Sequence, residues 1–203
     1  MEIKLEHGVY KHYKGKLYRV LTVGKSSENK TDQVVYQELY GNSNVWIRPL
    51  SEWNELMGDF LRFEHQESHD INITIDKVGL ILIRNRKVLM ARSKENDSFY
   101  LPGGKRKIDE TDLACLTREI QEELNVELKT ESAQLFEKYY AQAHNKPEGT
   151  LIKMTCYVAH IKGDPVPCQE IDELSFFSYS DRDKITTIAK LIFDDLYWKK
   201  MIK

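Results

Sequence analysis

An α/β fold carried behind a small all-β unit is what this 203-residue sequence predicts. Three observations lead there. Before residue 58 the apolar and aromatic residues fall in short runs broken by turn-rich stretches, the pattern of brief strands in a small β-barrel-like domain. After residue 73, strand-like runs are interleaved with stretches whose apolar residues recur every three or four positions, the period of a helix face. The length itself suits one ordinary domain and a small companion. The expected organisation is a small β domain over 1–58, a linker over 59–72 and a larger domain over 73–203.

Composition excludes several classes. Hydrophobic residues make up 41% and charged residues 31%, a normal globular balance. A net charge of −2 provides no general pull toward nucleic acid or an anionic membrane. No run approaches the roughly 18 apolar residues of a membrane span, and Met1 to His7 lacks the apolar core of a signal peptide. A cytoplasmic protein is the expectation. Cys115, Cys156 and Cys168 are isolated, so neither a zinc site nor a disulfide framework is expected.

In the first unit the strand runs are Leu17 to Val23, Val34 to Tyr40 and Val45 to Ile47, with turns at Gly24 to Asp32 and Gly41 to Asn44. Pro49 stops the third run, and Ser51 is placed to cap a short helix through Met57. A unit of roughly 50 residues is near the lower limit for folding alone. Gly58 to Asn72 sets Asp59, Arg62, Glu64, Glu67 and Asp70 around Phe60, Leu61 and Phe63, and reads as a connection partly docked by its aromatics.

The second unit opens with the apolar strand Val78 to Ile83, the turn Asn85-Arg86-Lys87 and a returning strand Val88 to Ala91. Phe99-Tyr100-Leu101 leads into a Pro-Gly-Gly turn and a helix from Asp109 to Leu124. Further strands are expected at Leu135 to Ala141, Leu151 to Ile161 and Leu174 to Phe177. A final helix over Asp181 to Trp198 presents Ile185, Ile188, Ala189, Ile192 and Leu196 on one face.

The chemistry-bearing stretch lies in the first of these helices. Glu119, Glu122 and Glu123 stand at i, i+3 and i+4, which puts their Cβ atoms on one face within about 6 Å of one another. Like charges so placed repel unless a hard cation such as Mg²⁺ or Mn²⁺ takes their oxygens. Leu113, Leu116, Ile120 and Leu124 form the opposite, inward face. Arg118 can hold a carboxylate by a forked hydrogen bond, Thr111 or Asp109 can cap the helix start, and Gly103 and Gly104 allow a tight turn and a close backbone approach to a ligand. Three glutamates alone are more often a solvated helix face; the Gly-Gly turn and the arginine shift that balance.

Gly104 is followed by five residues and Glu110, then by seven residues and Arg118-Glu119-Ile120-Gln121-Glu122-Glu123-Leu124-Asn125-Val126. This stretch resembles the Nudix box at every fixed position except the last, where Asn125 stands for Gly. Asn is the next-best residue for a left-handed helix cap, so the departure leaves the carboxylates untouched. Tyr100-Leu101-Pro102 before the box and Glu170-Ile171 before Phe176-Phe177 are also similar to the family, and the likeness covers roughly Asn72 to Asp181.

That resemblance implies the Nudix α/β/α sandwich with a mixed sheet between helices. It implies a metal-dependent pyrophosphohydrolase of the MutT-like kind, cleaving a phosphoanhydride bond of a nucleoside diphosphate-linked substrate by water attack assisted by Mg²⁺ or Mn²⁺. Glu119, Glu122 and Glu123 are then metal ligands, with Glu110 a further or water-mediated one. Glu119 and Glu170 are the candidates for general base. Arg118 acts with the carboxylates, and Arg92, Gly103, Gly104 and Lys105 are the candidate substrate contacts. Neither Ala141-Gln142 nor Tyr139-Tyr140 matches a substrate-class marker in place, so a nucleoside triphosphate or related nucleotide derivative is the expected substrate. The competing reading is a Nudix module that senses a nucleotide without cleaving it; regulators of that kind often lose box carboxylates, which this sequence keeps.

His12-Tyr13-Lys14-Gly15-Lys16, Val35-Tyr36, Leu39-Tyr40-Gly41 and Trp46-Ile47-Arg48-Pro49-Leu50 resemble a small uncharacterised bacterial domain family, over about His7 to Met57. It carries over no activity. Between Met1 and Gly58 there are 8 Lys and Arg against 7 Asp and Glu, so no basic nucleic-acid patch is expected. Packing, formation of a homodimer or a wall of the substrate site are the roles that suit it.

Overall fold

The computed structural model describes residues 5, 6, 8–67 and 71–203. The expectation for Met1 to His7 therefore falls largely outside the described residues, as does the Asp70 end of the connection. The chain divides into two compact units, Met1–Asn72 and Ile73–Lys203.

The first unit holds β1 (Val9–His12), β2 (Leu17–Lys25), β3 (Asp32–Glu38), β4 (Val45–Pro49), α1 (Leu50–Trp53), the two-residue strands β5 (Leu56–Met57) and β6 (Phe60–Leu61), and β7 (Phe63–Gln66). Five of these strands form one sheet in the order β4-β3-β2-β1-β7. Alternation puts Tyr10, Val20, Val34, Tyr36 and Phe63 on one face, where Trp53 of α1 buries against them. Trp53 stacks on Phe63 with ring centroids 3.8 Å apart. Tyr36 and Phe63 lie on strands three places apart, about 14 Å across a flat sheet, yet their rings are 5.6 Å apart. The sheet is therefore strongly curled.

The β domain that the strand spacing suggested is present, but its curled sheet does not close into a barrel among the described residues. β4 and β7 remain separate edges among the described residues, and the fully buried Trp53 fills the concave side instead. Two further expectations change. Phe63–Gln66, within the expected linker, pairs with β1 and belongs to the sheet; four residues with one buried aromatic are too short to show a period. Ser51 lies inside α1, whose N-cap position is Pro49 with no side-chain cap, and Leu56 and Met57 pair with β6 rather than extending a helix.

The second unit carries β8 (Ile75–Ile81), β9 (Ile83–Arg84), β10 (Lys87–Ser93), α2 (Asp112–Leu124), β11 (Glu127–Gln142), β12 (Leu151–Lys162), β13 (Ile171–Phe177), a 3₁₀ turn at Tyr179–Lys184 and α3 (Thr187–Trp198). Its strands form an antiparallel sheet, β13-β10-β9, and a mixed one, β11-β12-β8, in which β12 runs parallel to β8. Asn85 and Arg86 take φ of 52° and 60°, the two left-handed positions of a tight hairpin turn between β9 and β10. Cys115, Leu116, Ile120 and Leu124 of α2 bury against Val78, Leu80, Leu82, Leu89, Val126 and Ala159. Cys115 takes the inward place expected of Leu113, which is only half-buried.

The helix ends follow local chemistry. Thr111 Oγ1 accepts from Ala114 N at 3.3 Å, and α2 starts there rather than at Asp109, which turns through φ 59°. Asn125 closes α2 in the left-handed conformation, φ 52° and ψ 41°, as its residue type predicts. The last helix is shorter than expected. Thr186 N donates to Phe99 O, and Phe99 N to Lys184 O, both at 2.9 Å, so Ile185 is drawn into an extended bridge and α3 begins only beyond Thr186.

Candidate active site

Two glycines and one helix build the acidic centre. Leu80 N donates to Pro102 O at 2.8 Å and Val78 N to Gly104 O at 2.9 Å, which lays the Gly-Gly turn along β8. Gly103 has φ 129°, and a Cβ there would stand 2.2 Å from the Val78 carbonyl oxygen. Gly104 meets a different neighbour: a Cβ would stand 2.2 Å from Glu119 Cδ. The first glycine lets the backbone pass β8; the second leaves the space that the Glu119 carboxylate fills.

Arg118 gathers the carboxylates. Its Nε and Nη2 grip Glu110 at 2.8 and 2.9 Å, and its Nη1 donates to Glu119 at 2.7 Å and Glu122 at 3.2 Å. Lys107 N adds a bond to Glu110 at 2.9 Å. The guanidinium and this amide hold the Glu110 carboxyl down at about 2, well below the usual range. Glu123 points the other way, into the protein. It is 3% exposed and accepts from Gly103 N at 2.8 Å. Burial pushes its carboxyl up to about 8; the Gly103 amide and Lys77 oppose the rise, while Glu119 and Glu170 add to it.

A cleft of about 630 Å³ opens beside this centre. Lys77, Lys94, Lys105 and Lys146 line it with positive charge beside the His144 ring, and Ile75, Ile152, Met154, Ile188 and Tyr100 line it with apolar surface. Glu170 lines the cleft too, and together with Lys77 it is one of the charges that act on Glu123. Cations next to apolar surface suit a ligand with phosphates at one end and a ring at the other.

Of the residues singled out in the sequence, Glu110, Arg118, Glu119 and Glu122 form one bonded cluster. Glu123, Gly103 and Gly104 adjoin it, while Lys105 and Glu170 stand on the cleft wall. Arg92 is elsewhere: it pairs with Glu173 across β10 and β13 at 2.6 Å and lies over the Phe99 ring, and it is not among the cleft-lining residues. Sequence reasoning missed Lys77, Lys94, Lys146, His144 and Tyr100 as cleft residues. Nothing in their spacing marks them, because they come from β8, from the segment after β10 and from the β11–β12 hairpin.

The donor set fits a hard divalent cation chemically: all oxygens, close together along α2, and among the described residues no cation is bonded to the buried Glu123 carboxyl. Among the described residues no three such groups converge as a metal nest. Arg118 sits between Glu110, Glu119 and Glu122 and supplies the positive charge they need in this state.

Residues 74–195, more than half of the chain, match the family model described as NUDIX domain. The chain belongs to the Nudix family. Gly104, Glu110, Arg118, Glu119, Glu122 and Glu123 lie within that match and stand at the spacing of the Nudix box. A second family model, described as protein of unknown function DUF1653, matches residues 8–65 and so takes in most of β7 as well as the strands before it. Among solved structures the chain is similar to a MutT NUDIX hydrolase from Burkholderia pseudomallei, at 24% identity and TM-score 0.51 over 60% of this chain and 95% of that one. It is similar as well to a MutT protein from Methanosarcina mazei Go1, at 18% identity and TM-score 0.52 over 62% and 94%, and to a NUDIX hydrolase from Nitrosomonas europaea, at 15% identity and TM-score 0.51 over 63% and 90%. At these identities the likeness shows the Nudix fold. No curated protein matches the chain. No helix among the described residues is long and apolar enough to cross a membrane.

Proposed function

We propose that the second unit is a metal-dependent hydrolase that cleaves a phosphoanhydride bond of a nucleoside diphosphate-linked substrate, a nucleoside triphosphate or a related nucleotide derivative. One observation carries this reading: Lys77 and Glu170, whose charges act on the box residue Glu123, line a cleft whose wall combines four lysines with an apolar floor. A polyphosphate needs the cations, and a nucleoside suits the floor.

Glu119, Glu122 and Glu123 would hold Mg²⁺ or Mn²⁺, with Glu110 steering through Arg118 or joining as a further ligand. The cation, when bound, supplies charge neutralisation for the phosphates and activates the attacking water. The chain's own residues do the rest. Lys77 and Lys105 draw the phosphate oxygens toward the helix face. Arg118 keeps Glu119 and Glu122 aimed by hydrogen bonds that fix their direction. Gly104 keeps the space for the Glu119 carboxylate clear. Glu119 or Glu170 would take the proton from water.

The test is a panel of nucleotides incubated with wild type and with Glu122→Gln in Mg²⁺ and in Mn²⁺, reading products and which phosphorus takes up labelled water. Turnover by wild type and a loss of at least about 100-fold in the variant support the reading. A nucleotide that binds wild type tightly and is recovered intact overturns it in favour of a sensing module. Separate Glu119→Gln and Glu170→Gln variants assign the base, since only the base variant loses the rising limb of its pH–rate profile.

A further inference from the structure

The first unit carries a charged cluster that the box and its cleft do not use. The strand registers put His12, Tyr36, Arg48 and Phe63 on the same concave face of the sheet. The His12 ring lies 4.8 Å from Phe63, Phe63 lies 5.6 Å from Tyr36, and Arg48 Nε reaches the Tyr36 hydroxyl at 3.5 Å. Tyr13 N donates to Arg62 O at 3.0 Å, which brings Arg62 to the same end of β1. Each guanidinium is steadied by a half-exposed carboxylate, Arg48 by Glu52 at 2.8 Å and Arg62 by Glu55.

Two features show an unmet demand for negative charge. Arg62 Nε is buried with no hydrogen-bond partner among the described residues, a state that folded proteins rarely tolerate. His12 Nδ1 accepts from Lys14 N at 3.3 Å, so the neutral ring carries its proton on Nε2, where it is a donor. The imidazole is held below its ordinary range by burial first, and then by Arg62, Lys14 and Arg48, all of them positive.

We infer that His12, Arg48 and Arg62 form a binding site for a phosphate-class oxyanion, either free phosphate or the phosphate of a nucleoside monophosphate. Planar guanidinium groups offer paired donors that match tetrahedral oxyanions. The His12 Nε2–H adds a neutral donor, and a bound anion gives the Arg62 Nε–H the acceptor it lacks. Phe63 beside His12 and Tyr36 beside Arg48, both packed against Trp53, keep the local dielectric low, which strengthens each of these bonds. The site is independent of the hydrolase reading of the second unit.

The experiment follows the histidine ring signals of the full-length protein by NMR, with His12 identified from the spectrum of His12→Gln. Titrations with inorganic phosphate and with AMP are compared with chloride at equal ionic strength. Saturable phosphate binding is expected to raise the His12 midpoint by about one pH unit, because a bound anion offsets the Arg62, Lys14 and Arg48 charges that lower it. Arg48→Gln and Arg62→Gln are each expected to weaken that binding about 10-fold. AMP binding about 10-fold tighter than phosphate assigns the site to a nucleotide; equal affinity assigns it to free phosphate. A His12 midpoint that phosphate moves no more than chloride overturns the inference, as does an unchanged response in both folded arginine variants. If a variant fails to fold, the wild-type comparison of phosphate with chloride decides by itself.

Discussion

Consider the metal-free protein carrying Glu123→Gln. The wild-type carboxyl is 3% exposed and titrates at about 8 in the folded chain, against an ordinary 4.5. Between those two values the folded state keeps a proton that the unfolded state has released. Stability must therefore fall as pH rises through that window, by up to about 1.4 kcal/mol per unit and about 5 kcal/mol in all. Below pH 4.5 the group contributes no slope, and above 8 the whole penalty stands. The glutamine is nearly isosteric, its side-chain oxygen can still accept from Gly103 N, and it does not titrate, so the variant should lose this slope. Urea unfolding in the presence of a chelator, from pH 5 to 8.5 and read by hydrogen exchange of α2 amides, measures the difference between the two proteins. Other titrations such as that of His12 are common to both and cancel. Parallel stability curves for wild type and Glu123→Gln would refute the reasoning.

Three further outcomes are expected. Gly103→Ala should cost about 3 kcal/mol of stability, from the strained φ and the clash with Val78 O, whereas Gly104→Ala should leave the melting temperature nearly unchanged and lower turnover about 100-fold by displacing Glu119; thermal melts and kinetics on the same pair separate the two roles. Asn125→Gly should be neutral or gain up to about 1 kcal/mol, and Asn125→Ala should lose about 1 kcal/mol, because the residue sits at φ 52°; chemical denaturation reports both. Trp53→Ala should destabilise the first unit by about 3–5 kcal/mol, enough to unfold so small a domain, and exchange of the β1–β4 amides would show it while α2 stays protected.

The box was legible in the sequence because its signal is local. Helical spacing alone puts Glu119, Glu122 and Glu123 on one face, and Asn125 marks the helix end by its own backbone preference. The strands β2, β10 and β12 were legible for a similar reason, since their apolar runs are long enough to show a period. β1 and β7 were not, being four residues each. The last helix lost its first turn to a backbone bridge between Phe99 and Ile185, a contact across more than 80 residues that no local propensity reports.

What the sequence determined by itself was the acidic helix face, its C-terminal cap, the two-unit order and the family to which the box belongs. All of these depend on residues within a few turns of one another. Tertiary structure decided the direction in which each carboxylate points. Glu123 went inward to the Gly103 amide and Glu119 into the space left by Gly104, while Arg118 drew Glu110 to its side. The structure also assembled the lysine-lined cleft from β8, the segment after β10 and the β11–β12 hairpin, and moved Arg92 away to Glu173. Charge and shape at a cleft are sums over distant segments, and only the fold brings those segments close enough to add.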